Sequence, residues 1–513
     1  MKRLGDRITT QGRERQFAVA LFLMYTYLFL LHINSRLWFK LLIVYYPCIV
    51  LLLLPALLPR YRTEKIELKL ILLFAAWMIL TRILNWDVSA YIERWRQEGP
   101  AYPDDAMNIA NSVVIYVPMV ACLILQGKTR EKFLDAIAII TAAFSTLTTT
   151  FSLYAVLNKI SIPAPFGGTY LCIIEDPRLY VFGKNPNTCC MWYFLGIFFL
   201  AYLFFRTKNR LCRTLIVIAG FLNYVILAMT FSRNGMFSFS LCLGLLVLVL
   251  VLRRFSPKTV GKKLLCTVLV LALIVPLAYK SFNLVYSGME KASSVVIQNR
   301  KAAQAAQTEE SGGADTAGYT AGYTVGGYDS VALRTEVSDP SRRQTQGSSR
   351  ILQTEDEANR ELVNYVYNRG FGDSGRLSIY KTFIPSMQQQ PLRLLIGCLE
   401  KDSMNYTSEV LGKEIVNFHN TFLQILCETG VIGLGLVLAF CVLLGRRVIR
   451  VLYSDAPVTV SILALMLVGI LTYNILEVDL FLTSDVACFA AYIAAGAVLA
   501  YTYEHGESAK KAE

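Results

Sequence analysis

Charge is scarce in this sequence. Asp, Glu, Lys and Arg make up 17% of its 513 residues, against 55% hydrophobic residues, and the mean hydropathy is +0.46. A soluble core of this size does not use so much apolar material. A soluble globular protein is therefore excluded and an integral membrane protein expected. Histidine is scarcer still, with three residues in all. No CxxC pair occurs and no Cys and His residues cluster, which argues against a structural zinc site; no metal and no cofactor are expected. A small-residue cleavage site is missing after the first apolar run, and a second apolar arm follows at once, so that run is not read as a cleavable signal peptide. No domain gathers the basic residues: the net charge of +13 is spread over loops, which excludes nucleic acid as a partner.

What is present is a succession of apolar runs of the length that spans a hydrocarbon core, about 17 to 25 residues. They lie near 17–33, 38–58, 66–84, 108–126, 132–155, 188–205, 214–230, 235–252, 264–279, 430–445, 458–475 and 485–503. The expected fold is all-α, a polytopic membrane bundle of about twelve transmembrane helices. The basic segments "MKRLGDR", "PRYRTEK", "GKTREK", "RTKNRLCR", "RRFSPKTVGKK", "RRVIR" and the terminal "AKK" fall on alternate connections. By the positive-inside rule they share the cytoplasmic side, and both termini lie there.

The connections 85–107, 156–187 and 280–417 then face outward, and long loops on a rigid scaffold are where sites are usually built. Three regions follow: a first transmembrane part over 1–279, a large extracytoplasmic loop over 280–417, and a second transmembrane part over 418–513. Within the loop, 300–350 reads as a disordered insertion, being poor in branched apolar residues. Residues 351–417 read as a helical subdomain, with Leu362, Val363 and Val366 at helical spacing and Gly370 as a stop. Most of the twelve cysteines sit inside apolar runs as small packing residues. Cys172 and Cys398 form the one plausible extracytoplasmic pair.

Polar residues at membrane depth are costly and therefore informative. In "MTFSRNGMF", Arg233 lies in a turn too short to leave the outer interface and needs an anion there. Snorkelling to lipid headgroups is the plain alternative, but Ser232, Asn234 and Gly235 make the turn a polar spot of the kind found beside protein or a water-filled cavity. In "FGKNPNTCCMWY", Lys184, Asn185 and Asn187 surround Pro186, which fixes the start of a helix; an ordinary helix cap explains them equally. In "NFHNTFLQILCETGVIGLG", His419 precedes an expected interfacial helix that breaks at Thr429 and Gly430, with His419, Leu423 and Leu426 on one face. Glu428 is near half a turn out of phase with His419, so it is not the expected carboxylate partner. His419 is either a satisfied interfacial histidine or a base near neutral pH.

The order "FGKNPN", "TFSRNG", an outer loop with "GRLSIY" and "PLRLLIGCLE", then "HNTFLQILCETGVIGLG" resembles the O-antigen ligase and polymerase family of lipid-linked oligosaccharide transferases, over about residues 180–445. The resemblance implies a metal-independent glycosyltransferase of the bacterial cytoplasmic membrane. It would work on the outer side with a polyprenyl diphosphate-linked glycan donor and a glycan, lipid or wall acceptor. A lipid diphosphate leaving group needs cations, and Arg233 and Arg376 are the candidates. The attacking sugar hydroxyl must lose a proton, and His419 is the candidate base, with Asn420 positioning it or the acceptor. Tyr380 and Lys381 follow Arg376 and would line the acceptor or diphosphate side, while Lys184, Asn185, Asn187, Ser232 and Asn234 would bind substrate. A lipid-linked glycan transporter of the same pathway is the rival, although no internal repeat of the transporter kind stands out. A non-catalytic scaffold would leave the histidine and arginines without a purpose.

Overall fold

The computed structural model describes isolated positions at 15–26 and 119–123, and residues 66–84, 125–163, 170–175, 178–181, 186–255, 259–310, 376–388, 391–397, 418–475, 477 and 486–510. The chain divides into two compact units: residues 1–291 together with 374–513, and residues 292–373. The described part of the second unit is the last stretch of one long helix. Of the insertion read as disordered over 300–350, residues 300–310 are helical; its remainder, the helix expected over 355–370 and Cys398 fall outside the described residues.

The described chain is nearly all helical. The helices are α1 (Ile66–Leu84), α2 (Gly127–Asn158), α3 (Pro186–Arg206), α4 (Arg210–Met229), α5 (Arg233–Phe255), α6 (Val260–Glu310), α7 (Arg376–Gln388), α8 (Pro391–Ile396), α9 (Thr421–Leu452), α10 (Val458–Asn474) and α11 (Val486–Lys510). Among the described residues, six helices are long and apolar enough to cross a membrane: α2, α3, α4, α5, α6 and α9. The apolar helix α10 is shorter, at 17 residues. The full expected set of about twelve spans extends into residues that are not described.

Burial follows composition. Helix α10, apolar on every side, packs against α3, α5, α9 and α11, and Ile462 to Leu467 are all buried. A helix without a polar face belongs in the middle of a bundle. Helices α4 and α6 instead expose Leu215, Ile218 and Phe221, and Leu265, Leu269, Leu273 and Leu277. Apolar surface of this extent fits a lipid environment and not water. Helix α6 does not stop where its apolar run stops at residue 279 but continues to Glu310. Nothing in "AYKSFNLVYSGMEKASSVV" breaks a helix, so the hydropathy boundary is not a helix boundary. Its Glu290 pairs with Lys159, the C-cap of α2, at 3.0 Å.

One element departs from the all-α expectation. Between α2 and α3 a small antiparallel sheet joins β1 (Ile162–Pro163), β2 (Tyr170–Glu175) and β3 (Arg178–Val181), with Cys172 opposite Val181 and Glu175 opposite Arg178. The sequence "YLCIIEDPRLYV" has the apolar, aromatic and branched composition of a hairpin around an Asp-Pro turn. The expected Cys172–Cys398 pairing also needs correction. Cys172 is a free thiol, fully buried and 3.4 Å from Ser152 Oγ, and burial pushes it up to about 11.

Helix α9 is broken at Gly430, with φ 66° and ψ −171°, a backbone region in which only glycine is at ease. The break lets α8 dock backbone to backbone. A Cβ on Gly430 would run into the carbonyl of Leu395, and one on Gly397 (φ 86°) into the carbonyl of Glu428. Trp77 of α1 donates its indole N–H to the carbonyl of Thr429 at 2.7 Å, satisfying an acceptor next to the break. Gly430→Ala is expected to destabilise the protein by about 1–3 kcal/mol from backbone strain alone, with the clash in addition. Thermal unfolding in detergent should show a lowered midpoint. Gly435→Ala, inside the same helix and with nothing within 4 Å of the new methyl group, should not lower the midpoint and should raise it slightly.

Candidate active site at one end of the bundle

Each of the three polar segments opens a helix. Pro186 begins α3, as suits a residue with no N–H to lose and a φ already helical. Arg233 begins α5, and Ser232 caps it by accepting from the backbone N–H of Gly235 at 3.3 Å. Gly235 is small for a reason of packing, because a Cβ there would collide with Cys190 Sγ of α3. Asn420 caps α9, its Oδ1 accepting from Leu423 N at 3.0 Å while its Nδ2 donates to the carbonyl of Ile475 at 2.8 Å. His419 therefore stands outside the helix. It does not share a helical face with Leu423 and Leu426 as expected, because its φ is +50°. An L-residue in that region costs about 1–2 kcal/mol. The conformation is held by Tyr380, whose hydroxyl donates to the His419 carbonyl at 3.2 Å. Phe231, two residues before Arg233, has φ +52°, so backbone strain occurs on both of these turns, as it often does at functional sites.

The three helix starts meet at a residue that none of the segments contains. Glu477 lies just beyond the end of α10, with its side chain 9% exposed. Its Oε1 accepts from Asn187 Nδ2 at 2.7 Å and from Asn234 Nδ2 at 3.4 Å. Its Oε2 lies 3.6 Å from His419 Nδ1. The hydroxyl of Thr421 reaches both Asn474 Oδ1, at 3.0 Å, and the Glu477 carbonyl, at 2.8 Å. Glu428 accepts from Gln424 at 2.9 Å, one turn back on α9. Sequence reading missed Glu477 because it sits in "NILEVDL", with no polar motif around it. The available signal was a carboxylate close after an apolar run, which is a functional hypothesis in its own right.

Helices α7 and α8, from the large loop, cover this end. Ile379 and Phe383 of α7 pack on Phe418 and Cys427, with Phe383 and Phe418 ring centroids 4.3 Å apart, and Leu394, Leu423 and Leu426 close the cluster. The packing sets Tyr380 against His419 and places the start of α7, Arg376, one helical turn away from Tyr380. Lys381 is exposed. Arg233 is partly exposed and close enough to Tyr279 of α6 for an electrostatic interaction. Thus Asn187, Ser232, Arg233, Asn234, Tyr380, His419 and Asn420 gather at one end, with Ser232 and Asn420 engaged as caps. Lys184 and Asn185 lie outside the described residues.

The start of a helix carries about half a positive charge. Three such starts together with Arg233 make an electropositive site, with one histidine beside one fixed carboxylate. Anion binding and proton removal are what this set of groups can do. The site lies at one end of a bundle whose described residues include six helices long and apolar enough to cross a membrane. Residues 215–438, somewhat under half of the chain, match the family described as O-antigen ligase. No curated protein and no solved structure matches the chain. The match covers α5, α6, α7 and α8, most of α4 and the kinked half of α9, and so includes Arg233, Tyr380 and His419 but neither Asn187 nor Glu477. The protein is a membrane protein of the glycosyl-transfer class that serves polysaccharide biosynthesis.

Proposed function

We propose that the protein transfers or polymerises glycan from a polyprenyl diphosphate carrier, on the outer side of the bacterial cytoplasmic membrane. The observation that carries this reading is the convergence of three helix starts and Arg233 on the pair His419 and Glu477. A sugar diphosphate is already charged before it reacts and gains charge on the bridging oxygen as the anomeric C–O bond breaks. Fixed dipoles and a guanidinium aimed at that oxygen favour the transition state without reorganisation. Arg233 and Arg376 neutralise the diphosphate, Arg through its planar fork of donors. His419 takes the proton of the acceptor hydroxyl as that oxygen closes on the anomeric carbon. Asn420 fixes the backbone that presents His419, and Lys184, Asn185 and Lys381 border the glycan or diphosphate. The scheme uses no metal.

Orientation follows from charge. The end of the bundle opposite the site carries Arg206 paired with Asp135 at 2.9 Å, Arg130 with Glu504 at 2.7 Å and Arg447 with the buried Glu67 at 3.1 Å. The basic segments at 127–132, 206–213 and 446–450 lie at that end, which supports reading it as cytoplasmic and the site as extracytoplasmic. Deletion of the gene in the source organism, followed by gel analysis of its surface polysaccharide, tests the reading. Loss of the ladder above one repeat identifies a polymerase, and full-length chains stranded on lipid carrier identify a ligase. An unchanged polysaccharide profile would overturn both.

A further inference from the structure

The proposed base has a built-in orienter. We infer that Glu477 is the positioning residue of His419: it holds the neutral imidazole in the Nδ1–H tautomer, so that Nε2 is the atom that faces the acceptor. The inference rests on the reading of His419 as the base and adds to it a residue outside the family match.

Several independent observations lead there. The His419 side chain is 36% exposed, yet its Nδ1 is shielded from solvent, so the exposure belongs to the rest of the ring, of which Nε2 is the other nitrogen. The shielded nitrogen faces Glu477 Oε2 at 3.6 Å. That is longer than a hydrogen bond, and contacts of this kind commonly tighten only when substrate is bound. The carboxylate is itself immobilised. Its other oxygen receives amide N–H groups from α3 and α5, through Asn187 and Asn234. Its backbone is tied to Thr421, two residues from the histidine. An ionised carboxylate only accepts hydrogen bonds, so the nitrogen facing it must carry the ring proton.

The asparagines of two separate segments thus serve a purpose that neither segment reveals alone, which is to aim one carboxylate at the third. In the reaction, the acceptor oxygen forms its bond to the anomeric carbon while its proton passes to Nε2. The electron pair of the breaking C–O bond leaves with the diphosphate. The resulting imidazolium is stabilised by Glu477, which takes no proton itself, and it later returns its proton to water. Positioning of a catalytic imidazole by a buried carboxylate is worth orders of magnitude in serine proteases, where exchange of the carboxylate for an amide leaves the geometry intact and produces the wrong tautomer.

The test is ¹⁵N NMR of the full-length protein, labelled at histidine and held in lipid nanodiscs above about pH 8, where an imidazole is neutral. Spectra of His419→Asn protein assign the signal, a simple task with three histidines in the chain. Wild-type His419 should show a protonated Nδ1 and an unprotonated Nε2. In Glu477→Gln the amide donates to Nδ1, so the pattern should invert, and kcat should fall by about a hundredfold with KM for the donor little changed. Glu477→Asp should keep the wild-type pattern and part of the rate. A wild-type His419 protonated at Nε2 overturns the inference without any variant having to fold. Full kcat in Glu477→Gln overturns it as well. Full activity in His419→Ala would instead remove the base on which the inference rests, a different result from either.

Discussion

Replacement of His419 by alanine is expected to lower turnover by about a hundredfold or more, the scale of positioned acid–base catalysis, while donor binding stays nearly unchanged. The separation of effects follows from where the histidine stands. It is held outside α9 by a capped turn, with its carbonyl bonded to Tyr380 and its side chain partly exposed, so the ring can reach a hydroxyl that arrives from solvent. A neutral imidazole contributes little to holding a diphosphate in the ground state, and its loss falls on the proton transfer. Folding should survive, because the cap of α9 is the side chain of Asn420 and the apolar cluster beneath is made by Phe418, Phe383, Ile379 and Cys427. Single-turnover kinetics on well-expressed protein checks the expectation, and near-normal turnover would leave His419 as an interfacial cap.

Arg233→Ala should act differently, weakening donor binding and turnover together. A diphosphate carries its charge before, during and after the transfer, so a guanidinium that faces it contributes to the ground state and still more to the transition state. Loss of a charge-assisted, fork-like contact typically costs about 1.5–3 kcal/mol, roughly 10-fold to 100-fold in the constant that reports it. Arg233→Lys should restore part of each loss, because it returns the charge without the planar fork. Arg376→Ala should follow the same pattern. Equilibrium binding of a lipid diphosphate to each variant, measured beside its turnover, separates the two effects; unchanged binding with lowered turnover would contradict the assignment.

Much of the bundle was legible because apolar length and helix length coincide where a helix only has to cross the membrane. The run 188–205 became α3 at Pro186–Arg206, and the run 458–475 became α10 at Val458–Asn474. Where a helix serves something else, the coincidence fails. Helix α6 passes beyond its apolar run to Glu310, and in the loop after α2 the alternating residues around Asp-Pro form a sheet that hydropathy does not register. The break at Gly430 was readable from glycine following threonine. The left-handed backbone of His419 was not, because it comes from a tyrosine hydroxyl on α7 and a cap at Asn420 acting together. The three helix starts each left a local signature of Asn, Ser, Arg or Pro. Glu477 left none: what makes it important is a set of contacts to residues 187, 234 and 419, and sequence neighbours carry no record of partners so far away.

The most direct test of the account is transfer by the purified full-length protein in detergent micelles, supplied with a lipid diphosphate-linked oligosaccharide and the matching acceptor, with no membrane for anything to cross. The account predicts that the glycan moves to the acceptor and that free lipid diphosphate is released in equal amount, in a reaction that His419→Ala nearly abolishes. Intact donor after prolonged incubation with well-folded wild-type protein, together with movement of that donor across the bilayer once the protein is placed in vesicles, would contradict it and identify a transporter.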